Sequence, residues 1–387
     1  MRVLLISSSS GSHGGGELYL AGLAEGLNAS GVDVHIAMSM HERMDPLATT
    51  LRDMGTVHRL PIRNTYDQKL RVVGSVISHT SDAALKKLVT EVQPCLLHLN
   101  KQNLEDGLDL LRACCRLAVP AVSTIHVTRS AASLGAKAAS IRDAIARNRL
   151  NRDSFSVICV AEQCRQDFLQ FMGGRFNASD CYSVPNGVAA QATSDRESIR
   201  EKWGCKENDF VLGTIARIEE QKNPLLIPKV LSNLPENYKF VWVGEGRLRE
   251  QLENAVLERN LTDRFLITGW QNEARRLLSG FDLFTLPSRY EGFPFAILEA
   301  MAASLPCVVS DVDGVRESVK DGVSGYLCTG DSIERWVSCI RGFGDDPGKL
   351  DRFGKAGFER WRQRFSLEAM TNGTINVYEN ALRVAQR

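Results

Sequence analysis

No stretch of this chain holds the ~18 continuous apolar residues that a membrane-spanning helix needs. Its opening segment, Met1-Arg-Val-Leu-Leu-Ile-Ser, turns polar and glycine-rich too soon for a signal-peptide core. That segment reads as a β-strand, and the protein is expected to be soluble and cytoplasmic, at most peripheral to a membrane. Charge of neither sign predominates: 47 basic residues face 46 acidic ones, so no global field points to nucleic acid or a bulk polyanion. The ten cysteines form no Cys-x-x-Cys pair and no Cys/His spacing suited to zinc, and reduced, mostly buried thiols are expected. A Gly-x-Gly-x-x-Gly in the usual register with its later acid is missing too, which argues against a dinucleotide-dependent oxidoreductase. There is no Walker lysine, internal repeat or low-complexity block.

What the chain does have is length for two cores, at 387 residues. Short apolar runs alternate with longer amphipathic ones, the pattern of parallel strands covered by helices on both faces. The runs fall at 3–7, 32–39, 57–60, 95–100, 121–127, 156–161 and 181–184, and again at 210–216, 240–244, 265–269, 283–287, 307–310 and 325–328. The fold class is therefore α/β, with doubly wound sheets in two domains, 1–188 and 189–365. The small, polar stretch 186–194 reads as the linker, with Ser194 as N-cap of a helix over 195–203. Leu367, Met370, Ile375, Tyr378 and Leu382 give the tail 366–387 a helical period, and no strand follows.

Open parallel sheets bind ligands at the carboxyl ends of their strands, so chemistry is sought in the loops there. After the first run comes Ser7-Ser-Ser-Ser-Gly-Ser-His-Gly-Gly-Gly-Glu17. Gly15 and Gly16 either bring backbone amides to a ligand at a helix N-terminus or make a plain tight turn. His126 ends the run Ala121-Val-Ser-Thr-Ile-His at the mouth of a sheet; a structural role is the commoner fate of a lone histidine. Arg217 and Lys222 lie five residues apart after another run, suited to a diphosphate or to a solvated turn with Glu219 and Glu220 as partners. Cations at 129–152 (Arg129, Lys137, Arg142, Arg147, Arg149, Arg152) share their segment with Ile141, Ile145 and Leu150. This is a solvated helix face or an amphipathic helix touching anionic lipid.

The densest pattern is Pro287-Ser-Arg-Tyr-Glu-Gly-Phe-Pro-Phe-Ala-Ile-Leu-Glu-Ala-Met-Ala-Ala303. Gly292 frees the loop to present amides, and Pro294 is a residue type favoured in a helix's first turn, so the helix dipole points at whatever the loop holds. Glu299 is the one polar residue between Phe295 and Ala303. Its carboxylate needs a partner. A vicinal diol such as a ribose would serve, and so would Arg275 or Arg316.

These residues resemble the retaining GT-B glycosyltransferases of family 4, or glycosyl transferases group 1. The resemblance rests on Glu291-x7-Glu299 inside Pro-Ser-x-Tyr-Glu-Gly-Phe-Pro, supported by Gly14-Gly-Gly-Glu17, Thr124-Ile-His126, Val184-Pro-Asn-Gly-Val188, Arg217 to Lys222, Val243-Gly244-Glu-Gly246 and Gly269-Trp270. It implies two Rossmann-like domains facing across a cleft, with the tail helix crossing back to the first. It implies a nucleotide-sugar donor, UDP-linked by family frequency, and a saccharide or lipid-linked acceptor, with no nucleic acid partner. Arg217 and Lys222 would hold the diphosphate with the turn Gly292, Phe293, Pro294 and the loop of Gly244; Glu299 would bind ribose. Glu291 and His126 would flank the transferred sugar, with Gly15 and Gly16 beside them. No cofactor is implied. Asp311-Val-Asp313 matches the metal-holding pattern of a different glycosyltransferase fold, but it lies in a loop the second sheet already requires, and a metal-independent reaction is expected. A sugar-nucleotide epimerase and an inactive nucleotide-sugar-binding scaffold are the rival readings.

Overall fold

The apolar runs become strands because both of their faces are withdrawn from water, which β-branched and aromatic side chains suit. The computed structural model describes residues 1–9, 14–68, 71–77, 79–152, 154–190 and 194–385. His13 of the glycine loop, 191–193 of the expected linker and the last two residues of the tail lie outside the described residues. Chain contacts divide the molecule into two units. One comprises Met1–Gly187 together with the helix Leu367–Ala385, the other Val188–Ser366.

The first unit has strands β1 (Arg2–Ser7), β2 (Asp33–Ser39), β3 (Thr56–Leu60), β4 (Leu96–Asn103), β5 (Ala121–Val127), β6 (Ser156–Cys159) and β7 (Cys181–Ser183). They form one parallel sheet in the order β3-β2-β1-β4-β5-β6-β7. The second has β8 (Phe210–Ile215), β9 (Tyr238–Val243), β10 (Phe265–Gly269), β11 (Leu283–Leu286), β12 (Cys307–Ser310) and β13 (Gly325–Cys328). These are again parallel, in the order β10-β9-β8-β11-β12-β13. In each sheet the order reverses once, between β1 and β4 and between β8 and β11. In open parallel sheets such a reversal is where ligands bind, at the strands' carboxyl ends.

Two local expectations shift. β4 continues past residue 100 to Asn103, since Lys101 is buried within the unit and Asn103 pairs with Val127 of β5. The helix after the linker is Arg196–Lys202, and its N-cap is Asp195, not Ser194; the Asp195 carboxylate accepts from the amides of Glu197 and Ser198.

The second unit's core packs Leu212, Phe240, Trp242, Leu283 and Val308 of the sheet against Trp336, Ile340 and Phe343 of the helix Ile333–Gly344. Within the first unit, the helix Leu367–Ala385 lies against the helix Gly15–Ala29. Close approach is possible because Gly26 leaves room for Thr371, whose Oγ1 sits 1.9 Å from where a Cβ would be. That helix also delivers Tyr378 into the core, its hydroxyl 2.5 Å from His98 Nδ1 on β4. No helix among the described residues is long and apolar enough to cross a membrane.

Replacing Tyr378 with phenylalanine leaves His98 Nδ1 buried without its partner. The expected cost is about 1–3 kcal/mol, read as a lower urea midpoint at unchanged slope; an unchanged midpoint would contradict this account.

Candidate functional site

In the second unit, the two loops that carried the strongest sequence signals leave β8 and β11, the strands either side of the order reversal. They are laced together. The Gln221 side chain donates to Tyr290 O at 3.0 Å, and the Arg289 amide to Gln221 O at 2.8 Å. Lys222 Nζ then meets Glu291 Oε1 at 2.5 Å, and Ser288 Oγ donates to the same oxygen at 2.6 Å. The Glu291 side chain is 6% exposed and that of Lys222 15%, so the pair is largely out of water. The family resemblance implies separate roles for these two residues, one toward phosphate and one toward sugar; the structure makes them direct partners.

Glu219 does not pair with Lys222 or Arg217 as a solvated turn would have it. Arg247 takes it, at 2.9 Å, and holds its carboxyl below the usual range. Arg217 is exposed and donates no side-chain hydrogen bond to a described residue. Its loop is braced from β9: Ile218 N donates to Glu245 O at 2.8 Å, and Leu248 N to Ile218 O at 3.0 Å. Gly244, at φ 145°, is what allows this, because a Cβ there would lie 2.1 Å from Ala216 O. Gly244 thus shapes the loop that carries Arg217.

The helix Phe295–Ala302 begins one residue later than the proline suggested, with Pro294 in extended conformation as its N-cap. Phe293 is buried with its ring 5.3 Å from that of Phe365, which anchors the turn. Gly314, at φ 77°, backs Gly292 so closely that a Cβ would fall 1.7 Å from Gly292 O. Glu299 is 6% exposed, and burial raises its carboxyl above the ordinary range, with Arg275 acting in the opposite sense. Of the two arginines considered, Arg275 supplies the ion pair, at 3.3 Å, while Arg316 is taken by Asp311 and Asp313. The two acids of the Asp-x-Asp pattern therefore grip one guanidinium.

In the first unit, Gly16 is buried, Gly15 exposed, and both open the helix Gly15–Ala29. His126 stands at the end of β5, its Nε2 2.7 Å from Asn100 Oδ1, and Asn100 Nδ2 donates to Gly16 O at 2.9 Å. The Tyr19 ring meets the imidazole edge-on at 4.8 Å. Behind it runs a buried polar chain from Tyr378 to His98, Thr124 and Tyr19. Burial lowers His126 to about 4 and His98 to about 3, so both are neutral at neutral pH. Asn100 was missed in the sequence, although it bore the same signal as His126: a polar residue closing an apolar run.

The cations of 129–152 are less available than their density suggests. Arg142 donates to buried Glu105 at 2.7 Å, and Arg147 to Phe171 O at 2.7 Å, whereas Ile141 is 63% exposed.

Residues 13–192 match the family described as Glycosyltransferase Family 4, and residues 195–360 the one described as Glycosyl transferases group 1. Over 173 residues the chain is 35% identical to the UDP-Gal:alpha-D-GlcNAc-diphosphoundecaprenol alpha-1,3-galactosyltransferase of Escherichia coli, covering 42% of this chain and 45% of that protein. It is 27% identical over 203 residues to the lipopolysaccharide core biosynthesis mannosyltransferase LpsB of Rhizobium meliloti (strain 1021), covering 50% of this chain and 58% of the relative. The chain spans about half the length of the curated relatives it matches. Among solved structures, Anabaena Alr3699/HepE in complex with UDP superposes with a TM-score of 0.81 at 21% identity, over 98% of this chain and 100% of that one. Sucrose-phosphate synthase from Thermosynechococcus elongatus gives a TM-score of 0.81 at 18% identity, over 99% and 100%. At these identities the likeness is one of fold, the GT-B architecture.

Lys222→Met strands the Glu291 carboxylate, at a cost of about 3 kcal/mol; adding Glu291→Gln should recover most of it, and additive losses in a double-mutant cycle would show the pair to be uncoupled. A pH effect follows from the histidines. Unfolding returns His98 and His126 to the ordinary value of 6.5, so below that pH the unfolded chain binds protons that the folded chain refuses. Stability of the first unit should fall as pH drops from 6.5 toward 4, by at most ~1.4 kcal/mol per pH unit per histidine. Asp109, raised to about 6 by burial, and Asp106, raised by burial as well, hold protons in the folded state that the unfolded chain releases, and they offset part of this at the acid end of the range. Urea unfolding between pH 7 and 5 checks the sign; stability that rises on acidification would refute it.

Proposed function

This chain belongs to the group 1 glycosyltransferases, and from that premise we propose that it moves a hexose-type sugar from a UDP-linked donor to a saccharide or lipid-linked saccharide hydroxyl, retaining anomeric configuration, in polysaccharide or glycoconjugate assembly. The observation that carries this reading is the junction of the β8 and β11 loops, where Arg217, the Lys222–Glu291 pair and the Gly292–Pro294 turn converge at the sheet's order reversal. Arg217 donates no side-chain hydrogen bond to a described residue and Lys222 sits against the sugar-side carboxylate, so both are disposed to meet charge growing on a leaving diphosphate. Glu299 takes the ribose in place of Arg275. The donor class is supported by a relative named for UDP-Gal and by neighbours solved with UDP and with UDP-glucose.

Retention needs no covalent adduct. The anomeric C–O bond to the diphosphate breaks while the acceptor oxygen bonds to the same face of that carbon, and the acceptor proton passes to the departing phosphate oxygen. Glu291 suits a hydroxyl acceptor better than a nucleophile, since Lys222 and Ser288 already occupy Oε1. His126 lies beside the transferred sugar. The proposed route uses no divalent metal; the two acids of the Asp-x-Asp pattern pair instead with Arg316. Peripheral contact with a membrane through 129–152 would rest on Ile141 and the remaining cations, with Arg142 and Arg147 turned inward.

The test is calorimetric titration with nucleoside diphosphates and their sugars, then turnover with an acceptor panel. UDP and a UDP-hexose should bind, and Glu299→Ala should weaken both by about tenfold or more. Donor without acceptor should give slow release of free UDP. A new sugar nucleotide would instead identify an epimerase, and tight binding without turnover a scaffold. Chelator should leave activity intact; loss restored by manganese or magnesium would overturn the metal-independent route.

A further inference from the structure

The bond that holds His126 has a direction, and groups that can only accept set it. Gly16 O accepts from Asn100 Nδ2 at 2.9 Å. A carbonyl oxygen has no proton to give, so the Asn100 amide turns its NH2 to that side and its oxygen to the other. That oxygen lies 2.7 Å from His126 Nε2 and can likewise only accept. Nε2 therefore carries a hydrogen. The titratable groups facing the ring are Tyr19, edge-on from the helix Gly15–Ala29, and His98 from β4. Burial holds both neutral, Tyr19 pushed up to about 12 and His98 down to about 3. With His126 itself at about 4, the ring has one proton at neutral pH. Its Nδ1 is a bare lone pair that makes no hydrogen bond to any described residue.

We infer that Asn100 is a positioning residue that fixes His126 as the Nε2–H tautomer and so presents Nδ1 as an acceptor to a hydroxyl of the transferred sugar. The inference rests on the proposed function for the identity of that ligand, and on the geometry alone for the tautomer. It has a chemical consequence. A neutral imidazole whose only proton is already donated to Asn100 cannot protonate the leaving group. It also makes this position selective for a ligand O–H over an oxygen that can only accept.

The test is long-range proton–nitrogen correlation spectroscopy of the full chain labelled with 15N-histidine, with His126→Gln to assign the signals. The expected result is a protonated Nε2 and an unprotonated Nδ1 from pH 8 down to pH 5. Saturation with a UDP-hexose should shift the Nδ1 resonance, and UDP alone should not. In Asn100→Asp, the carboxylate still accepts from Nε2–H but favours the imidazolium. His126 should then take its second proton near neutrality, and the donor's KM should rise about tenfold on acidification through that point. A proton on Nδ1 in the native chain overturns the inference, and so does an Nδ1 resonance unmoved by a bound UDP-hexose. Should Asn100→Asp fail to fold, the native spectra decide alone. If the tautomer is as stated but no sugar nucleotide binds, the function proposed above falls and the role of Asn100 in holding the ring stands.

Discussion

A parallel strand inside a doubly wound sheet has no wet face. Helices cover both sides, so a polar side chain on the strand must find a partner in the interior or wait for the strand's end. Almost everything of functional interest in this protein follows from that constraint. His98 sits mid-strand on β4 and is satisfied on both ring nitrogens by Tyr378 and Thr124. His126, at the end of β5, is satisfied on one nitrogen only. Two histidines on neighbouring strands thus differ in kind because of depth along the sheet.

The same constraint explains how the second unit concentrates charge. The loops beyond β8 and β11 lie free of the sheet, and the order reversal between those strands leaves no crossover helix to cover the gap. Lys222 and Glu291 come together there from loops 69 residues apart in sequence. Neither could be withdrawn from water alone, and each makes the other's burial tolerable. Glycines at 244 and 314 contribute by absence, since side chains there would collide with Ala216 O and Gly292 O.

The first unit keeps an unusual charge inside. Lys101 is fully buried, its ammonium 3.4 Å from Leu104 O, and burial lowers it to about 8 despite the pull of Asp106 and Asp109. Asp106 in turn accepts from Ser8 and from the amide of Gln102. These groups tie Ser8, just past β1, to the end of β4 and the turn after it, β4 being the strand that carries Asn100. A lysine buried near buried carboxyls is something that composition, with its near balance of charge, gives no reason to expect.

Read from residues alone, the two α/β units, every strand's approximate place and the tail helix were all legible, because hydrophobic periodicity is a local property that burial only enforces. The Pro287–Ala303 segment was legible for the same reason, being contiguous. Strand ends were less so: β4 runs on through Lys101, a residue no periodicity rule would bury. Partnership was not legible at all. The sequence offered Glu219 and Glu220 for the cations and left Arg275 and Arg316 equal for Glu299, whereas folding paired Glu219 with Arg247, Lys222 with Glu291 and Glu299 with Arg275. Pairing depends on which loops the strand order brings side by side, and that order is a cooperative result of packing the whole sheet. The chain by itself determined which residue types stand at the strand ends; only the tertiary structure decided which of them neutralise one another and which, like Arg217 and His126 Nδ1, are left with capacity to spare.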